Sequence, residues 1–95
     1  MTKASGFAVG DVFAEAGTPL TWPLPWPSRL VVAIGDSEDV YFPNALGITR
    51  RPATVAKGDV LWLDIYGTGL CSTRHFRRRN EKYDLVLIGN LSTRL

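Results

Sequence analysis

The sequence has few of the residues that brace a small protein covalently or hold it in a membrane. Cys71 is the only cysteine and His75 the only histidine, so neither an intrachain disulfide nor a cysteine-rich zinc site can form. The longest apolar run, residues 30–34, is far shorter than the roughly 20 residues of a membrane-spanning helix, and residues 1–10 hold no signal-peptide apolar region. We therefore expect a cytoplasmic protein without a metal, a cofactor or a membrane partner.

The size and composition are those of one folded domain. The 95 residues are 45% hydrophobic and 21% charged, which is the balance of a globular protein with a single core. Residues 1–95 are thus expected to form one domain, with disorder, if anywhere, in residues 1–6.

The charge is unevenly distributed along the chain, although the net charge is only +2. Residues 1–49 hold five acids and two bases, a net charge of −3, whereas residues 50–95 hold nine bases and four acids, a net charge of +5. The second half could attract a polyanion or the acidic half of another copy. Alternatively, the two sets of charges interleave on the folded surface.

Nine glycines and six prolines leave no room for a long helix. We predict an all-β fold with at most one short helix, in which five or six strands close into a small barrel and so leave no exposed edge. The predicted strands are residues 7–16, 29–34, 37–46, 55–66, 70–76 and 83–88, with a turn at 67–69 and a charged hairpin tip at 77–82.

Three of these segments carry further expectations. The unbroken apolar run in 29–34 predicts a strand that is buried on both faces or lies inside a small barrel. The alternation in 55–66 predicts a strand with one buried face, without showing which face. Residues 37–46 could instead be a short helix capped by Ser37, although Pro43 would interrupt it.

An internal similarity separates two versions of the barrel. Residues 8–13 resemble residues 56–61, and residues 31–36 resemble residues 85–90 in the same order. If this is a duplication, the barrel consists of two pseudo-twofold halves. If the shared Gly-Asp-Val is only a frequent way to enter a strand, an SH3-like barrel is the alternative.

The second half contains a dense basic segment, residues 74–82, and a separate basic pair. Clustered guanidinium groups bind phosphates, and nearby aromatic rings such as Phe76, Tyr83 and Trp62 could stack on unpaired bases. The candidate nucleic-acid-binding residues are Arg50, Arg51, Arg74, Phe76, Arg77, Arg78, Arg79 and Lys82. A solvated hairpin without a ligand is the alternative.

Aromatic residues mark a second candidate surface. Trp22 and Trp26 alternate with prolines in residues 21–27, which predicts an extended crossing segment rather than a central strand. Trp62 and Tyr66 share the face of a strand opposite its leucines. If these four side chains are exposed, they form an interface for a protein partner or another copy.

No catalytic residues are assigned. Cys71 and His75 would share one face of a strand, but a cysteine nucleophile needs the imidazole within about 3 Å and a third orienting group. The leading hypothesis is therefore a non-enzymatic β-barrel module that associates with itself. Nucleic-acid binding is the first alternative, and a small-ligand or enzyme site at an oligomer interface is the second.

Overall fold

The computed structural model describes residues 6–35, 41 and 55–91. These residues form one five-stranded antiparallel sheet in the order β4-β3-β2-β1-β5, with one helix between its last two strands. The elements are β1 (Asp11–Glu15), β2 (Ser28–Ile34), β3 (Asp59–Asp64), β4 (Gly67–Ser72), α1 (Thr73–Lys82) and β5 (Leu85–Asn90). The predicted β architecture with one short helix is confirmed. Within the described residues the sheet is open, with β4 and β5 at its edges.

Most strand predictions overlap observed strands. Residues 7–16, 29–34, 55–66 and 83–88 contain or overlap β1, β2, β3 and β5, and the prediction for 70–76 is half correct because β4 ends at Ser72. The predicted turn at 67–69 is wrong, since these residues begin β4 and the chain turns at residues 65–66. The strand or helix predicted for 37–46 lies outside the described residues except for Tyr41, as do residues 1–5.

The predicted hairpin tip at 77–82 is wrong, because these residues belong to α1. Residues 73–82 contain neither glycine nor proline and are rich in arginine, a good helix former. Ser72 caps the helix: its Oγ accepts a hydrogen bond of 3.1 Å from the backbone N–H of His75. Phe76 and Asn80, one turn apart, are the buried residues of the helix.

Both faces of the sheet are covered. On one face α1 packs over a cluster of buried side chains, Phe7, Phe13, Val31, Ile34, Val60, Phe76 and Leu85. On the other face a second cluster contains Val12, Leu24, Leu30, Val32 and Leu91. Six of the seven residues of β2 are buried, which confirms the prediction of a strand covered on both faces.

The first internal similarity corresponds to two similar turns. Asp11 N–H donates to the Ala8 carbonyl at 3.0 Å, and Asp59 N–H donates to the Ala56 carbonyl at 3.0 Å. The glycine before each aspartate has a positive φ, 93° at residue 10 and 83° at residue 58. In the similarity, β3 corresponds to β1 and β5 corresponds to β2. The strand pairing does not repeat in the same way, since β1 pairs with β2 whereas β3 does not pair with β5. The Gly-Asp-Val pattern thus occurs at two similar turns.

Candidate nucleic-acid interface

Helix α1 divides the basic segment into an inward and an outward face. Phe76 and Asn80 point into the protein, whereas the side chains of Arg74, Arg77, Arg78 and Lys82 are exposed. Arg74, Arg78 and Lys82 follow one another at intervals of four residues, so they form a row along the helix with about 6 Å between successive residues. Ten residues thus present five cationic side chains, counting Arg79, against the single carboxylate of Glu81.

Phe76 belongs to the core. Its side chain is fully buried, and its ring lies edge to face with Phe7 at 5.3 Å and with Phe13 at 5.6 Å between centroids. The expectation that Phe76 stacks on a base is therefore corrected. A strand would have left the face of residue 76 open, but the helix turns it towards the sheet.

Two further predicted residues, Arg77 and Arg79, border this core. The guanidinium carbon of Arg77 lies 5.3 Å from the centroid of the Phe7 ring, so its stem packs over the core while the residue remains exposed. Arg79 is half-buried. The pair Arg50 and Arg51 lies outside the described residues.

Arg29 adds a cation that was not among the candidate residues predicted from the sequence. Its guanidinium carbon lies 4.8 Å from the centroid of the Trp62 ring and 5.8 Å from that of Tyr83. Its Nη1 donates to Asn80 Oδ1 at 3.3 Å. Burial lowers the pKa of Arg29, and the positive charge of Arg79 lowers it further, while the charge of Asp64 raises it. A basic cluster thus joins the end of α1 to β2.

Among the residues that the structure describes, three buried side-chain polar atoms have no hydrogen-bond partner: Trp62 Nε1, Asn80 Nδ2 and Ser28 Oγ. The Trp62 ring lies next to the guanidinium of Arg29, and Asn80 accepts a hydrogen bond from Arg29. A buried donor without an acceptor costs about 1–3 kcal/mol, so the two nitrogens are costly features of the Arg29 cluster.

The four aromatic residues of the predicted interface differ in their exposure. Trp62 is half-buried and packs against the core beneath α1, with its ring centroid 6.1 Å from that of Phe76. Tyr66 is 81% exposed, Trp26 63% and Trp22 48%. Trp62 therefore supports the basic cluster, and the other three side chains face solvent.

A cavity of about 330 Å³ lies where residues 22–24 cross the end of β3. Its walls include the exposed side chains of Trp22 and Ile65 and the buried Leu24, and the unpartnered Ser28 Oγ belongs to a residue that lines it. Sequence reasoning identified Trp22 but not the cavity, which depends on how residues 21–27 pack against β3.

Cys71 and His75 lie on different elements. Cys71 is in β4 and packs against the core beneath α1, whereas His75 is exposed on α1. The shared strand face assumed for them does not exist, because the strand ends between them. Across residues 6–35, 41 and 55–91, no three histidine, cysteine or acidic side chains are grouped so that they could hold a metal ion.

Within the part of the chain that the structure describes, no helix has the length and apolar character required to cross a membrane. Comparison of the chain with models of protein families, with curated proteins and with solved structures gave no match.

Proposed function

We propose that this protein binds single-stranded nucleic acid through the outward face of α1. The observation that carries the proposal is the set of exposed cations Arg74, Arg77, Arg78 and Lys82 on one helix of ten residues. Such a surface neutralises successive phosphates, which is the main source of affinity in binding that does not depend on base sequence.

The end of α1 favours a single strand over a duplex. Tyr83, at the C-cap of the helix, is 49% exposed, and Arg29 and Lys82 lie near its ring. An exposed ring beside cations is a place for an unpaired base, and such stacking contributes about 1–3 kcal/mol per base. In this arrangement Arg74 and Arg78 follow the backbone while Tyr83 holds a base.

Fluorescence anisotropy with single-stranded and duplex oligonucleotides of about 16 nucleotides tests the proposal, since one small domain covers about 4–16 nucleotides. The double variant Arg74→Ala/Arg78→Ala should bind the single strand more weakly and reduce the salt dependence of the binding constant by about two counterions. Both side chains are exposed, so the fold should persist.

The matched control is Lys57→Glu, which lowers the net charge by the same two units. Lys57 is exposed in the turn before β3, outside α1. Equal losses in the two variants would mean that net charge alone attracts the oligonucleotide, and unchanged binding by the double variant would remove α1 from the interface. Tighter binding of duplex than of single strand would contradict the stacking role of Tyr83.

A second candidate function is association between copies of the chain through the cavity beside Trp22. The observation that favours it is the exposure of Trp22 and Ile65 at an apolar depression, since exposed apolar patches commonly mark interfaces. Light scattering over a range of concentrations should reveal a dimer that Ile65→Ser weakens. Val86→Ser, at an exposed valine of β5, is the control, and a monomer at every concentration would exclude this candidate.

A further inference from the structure

Arg29 lies in a cluster of side chains at the end of α1. The guanidinium of Arg29 is held by the Trp62 and Tyr83 rings and by Asn80 Oδ1. Guanidinium groups held in this way lose little conformational freedom on binding an oxyanion, and their planar donors match phosphate oxygens. The cluster therefore contains one cation that is already positioned for an anionic ligand.

Asn80 supplies an independent observation. The residue is 3% exposed, and its carboxamide oxygen accepts from Arg29 while its Nδ2 has no partner. Oδ1 and Nδ2 belong to the same planar carboxamide. Because Oδ1 contacts the guanidinium of Arg29, the unsatisfied Nδ2 donor lies close to it. Asn80 Nδ2 therefore lacks a hydrogen-bond acceptor, and an oxygen of a bound anion would supply one.

The positive charge of Arg79 near Arg29 favours an anionic ligand. Arg79 lies near enough for its positive charge to disfavour the charged form of Arg29 and lower its pKa, which Asp64 opposes to a smaller extent. An anion bound at Arg29 would offset the repulsion that Arg79 exerts on its guanidinium. Two guanidinium groups also match the two negative charges of a phosphate monoester.

We propose that Arg29, Arg79 and Asn80 bind the phosphate group of a nucleotide, either free or at the end of a nucleic-acid strand. The proposal deepens the proposed function and rests on it for the source of the phosphate. Arg29 and Arg79 neutralise the charge, Asn80 positions Arg29 through Oδ1 and donates through Nδ2, and the half-exposed ring of Tyr83 lies beside them for the base.

Two-dimensional NMR of the labelled protein tests this site with three probes: inorganic phosphate, adenosine 5′-monophosphate and adenosine. The two phosphate probes should shift the Asn80 side-chain amide and the Arg29 Nε–H resonances in a saturable manner, and adenosine should leave them unchanged. Tighter binding of the monophosphate than of inorganic phosphate would identify a nucleotide, and equal binding would identify free phosphate as the ligand. If neither probe shifts these resonances, the site does not exist.

The variant Asn80→Asp separates the site from the fold. A carboxylate there replaces the unpartnered Nδ2 by an oxygen that Arg29 or Arg79 can satisfy, so the thermal midpoint should rise, and the new negative charge should weaken phosphate binding by about 10-fold or more. Lys57→Ala, which removes the same unit of net charge elsewhere, should bind phosphate as the unaltered protein does. Full phosphate binding by Asn80→Asp would overturn the proposal.

A second variant guards against a folding defect in the first. Arg29→Lys retains the charge but loses the planar set of donors, so the affinity for adenosine 5′-monophosphate should fall by about 10-fold. Unchanged affinity in that variant would also overturn the proposal.

The failures of the two proposals are distinguishable. If Arg74→Ala/Arg78→Ala binds oligonucleotides normally while Asn80→Asp loses adenosine 5′-monophosphate, α1 is not the interface and the phosphate site stands by itself. If the opposite result is found, the helix binds nucleic acid and the cluster around Arg29 binds no phosphate.

Discussion

Ser72 Oγ accepts a hydrogen bond from the backbone N–H of His75 at 3.1 Å, and this contact marks where β4 ends and α1 begins. The backbone of Ser72 is extended, with φ −64° and ψ 153°, as an N-cap residue requires. The cap therefore stabilises the start of the helix that presents the basic segment.

The first prediction is that Ser72→Ala destabilises the protein by about 1 kcal/mol, because a backbone donor at the start of α1 loses its acceptor. Urea denaturation followed by circular dichroism measures the change. Thr68→Ala, at another exposed position of β4, is the control and should cost less. Equal costs would mean that the cap contributes nothing specific.

The second prediction concerns the burial of Phe76 beneath α1. Phe76→Ala should lower the free energy of unfolding by about 3–5 kcal/mol, because it leaves a cavity between Phe7 and Phe13. His75→Ala, at the exposed neighbour of Phe76, should change it by less than about 0.5 kcal/mol. A small loss at residue 76 would show that this ring is not in the core.

The third prediction compares Gly35, which follows β2, with Gly69 in β4. A Cβ at residue 35 would lie 1.8 Å from the Ala56 carbonyl oxygen, whereas a Cβ at residue 69 would lie 2.2 Å from the Trp62 ring. Backbone atoms move away from a new Cβ less easily than a side chain does, so Gly35→Ala should destabilise the protein more than Gly69→Ala. For Gly69→Ala we expect the free energy of unfolding to fall by about 1–3 kcal/mol.

Tryptophan fluorescence measured with the denaturation curves distinguishes the two glycine variants. Gly69→Ala should alter the native emission, because the Trp62 ring must move, and Gly35→Ala should not. The reverse order of stabilities would contradict the close approach at residue 35.

The fourth prediction concerns the coupling between β1 and β5. Asn90 Nδ2 donates to Asp11 Oδ1 at 2.9 Å, and Asp11 Oδ2 accepts from the Ala8 amide at 2.8 Å in a position only 3% exposed. In a double-mutant cycle, Asp11→Ala and Asn90→Ala should show a coupling of about 0.5–3 kcal/mol. Strict additivity would mean that the bond contributes no stability.

The sequence predicted the features that depend on local patterns. The apolar run in residues 29–34 is local, and the structure has a strand there, whereas the predicted strands 7–16 and 55–66 included the two Gly-Asp positions at which the structure has turns. The helix carried local signals too, namely Ser72 as a cap and no glycine or proline in residues 73–82, but the alternation of Arg74, Phe76 and Arg78 resembled a strand. Here the capping signal was the informative one.

The Arg29 cluster could not be predicted in the same way. Arg29 and Asn80 are 51 residues apart in the chain, and they meet only because α1 lies over the sheet. The one sequence signal was the position of Arg29 beside a buried apolar run. In β2 this residue lies on the same face as Val31, beneath the helix.

The most direct measurement of the central claim is an NMR titration with a single-stranded oligonucleotide that follows every backbone amide. The account predicts that the largest shifts lie in Thr73–Lys82 and at Tyr83, and that they diminish as salt is added. Shifts confined to residues 21–27 and 65–66, or no shifts at low salt, would contradict it.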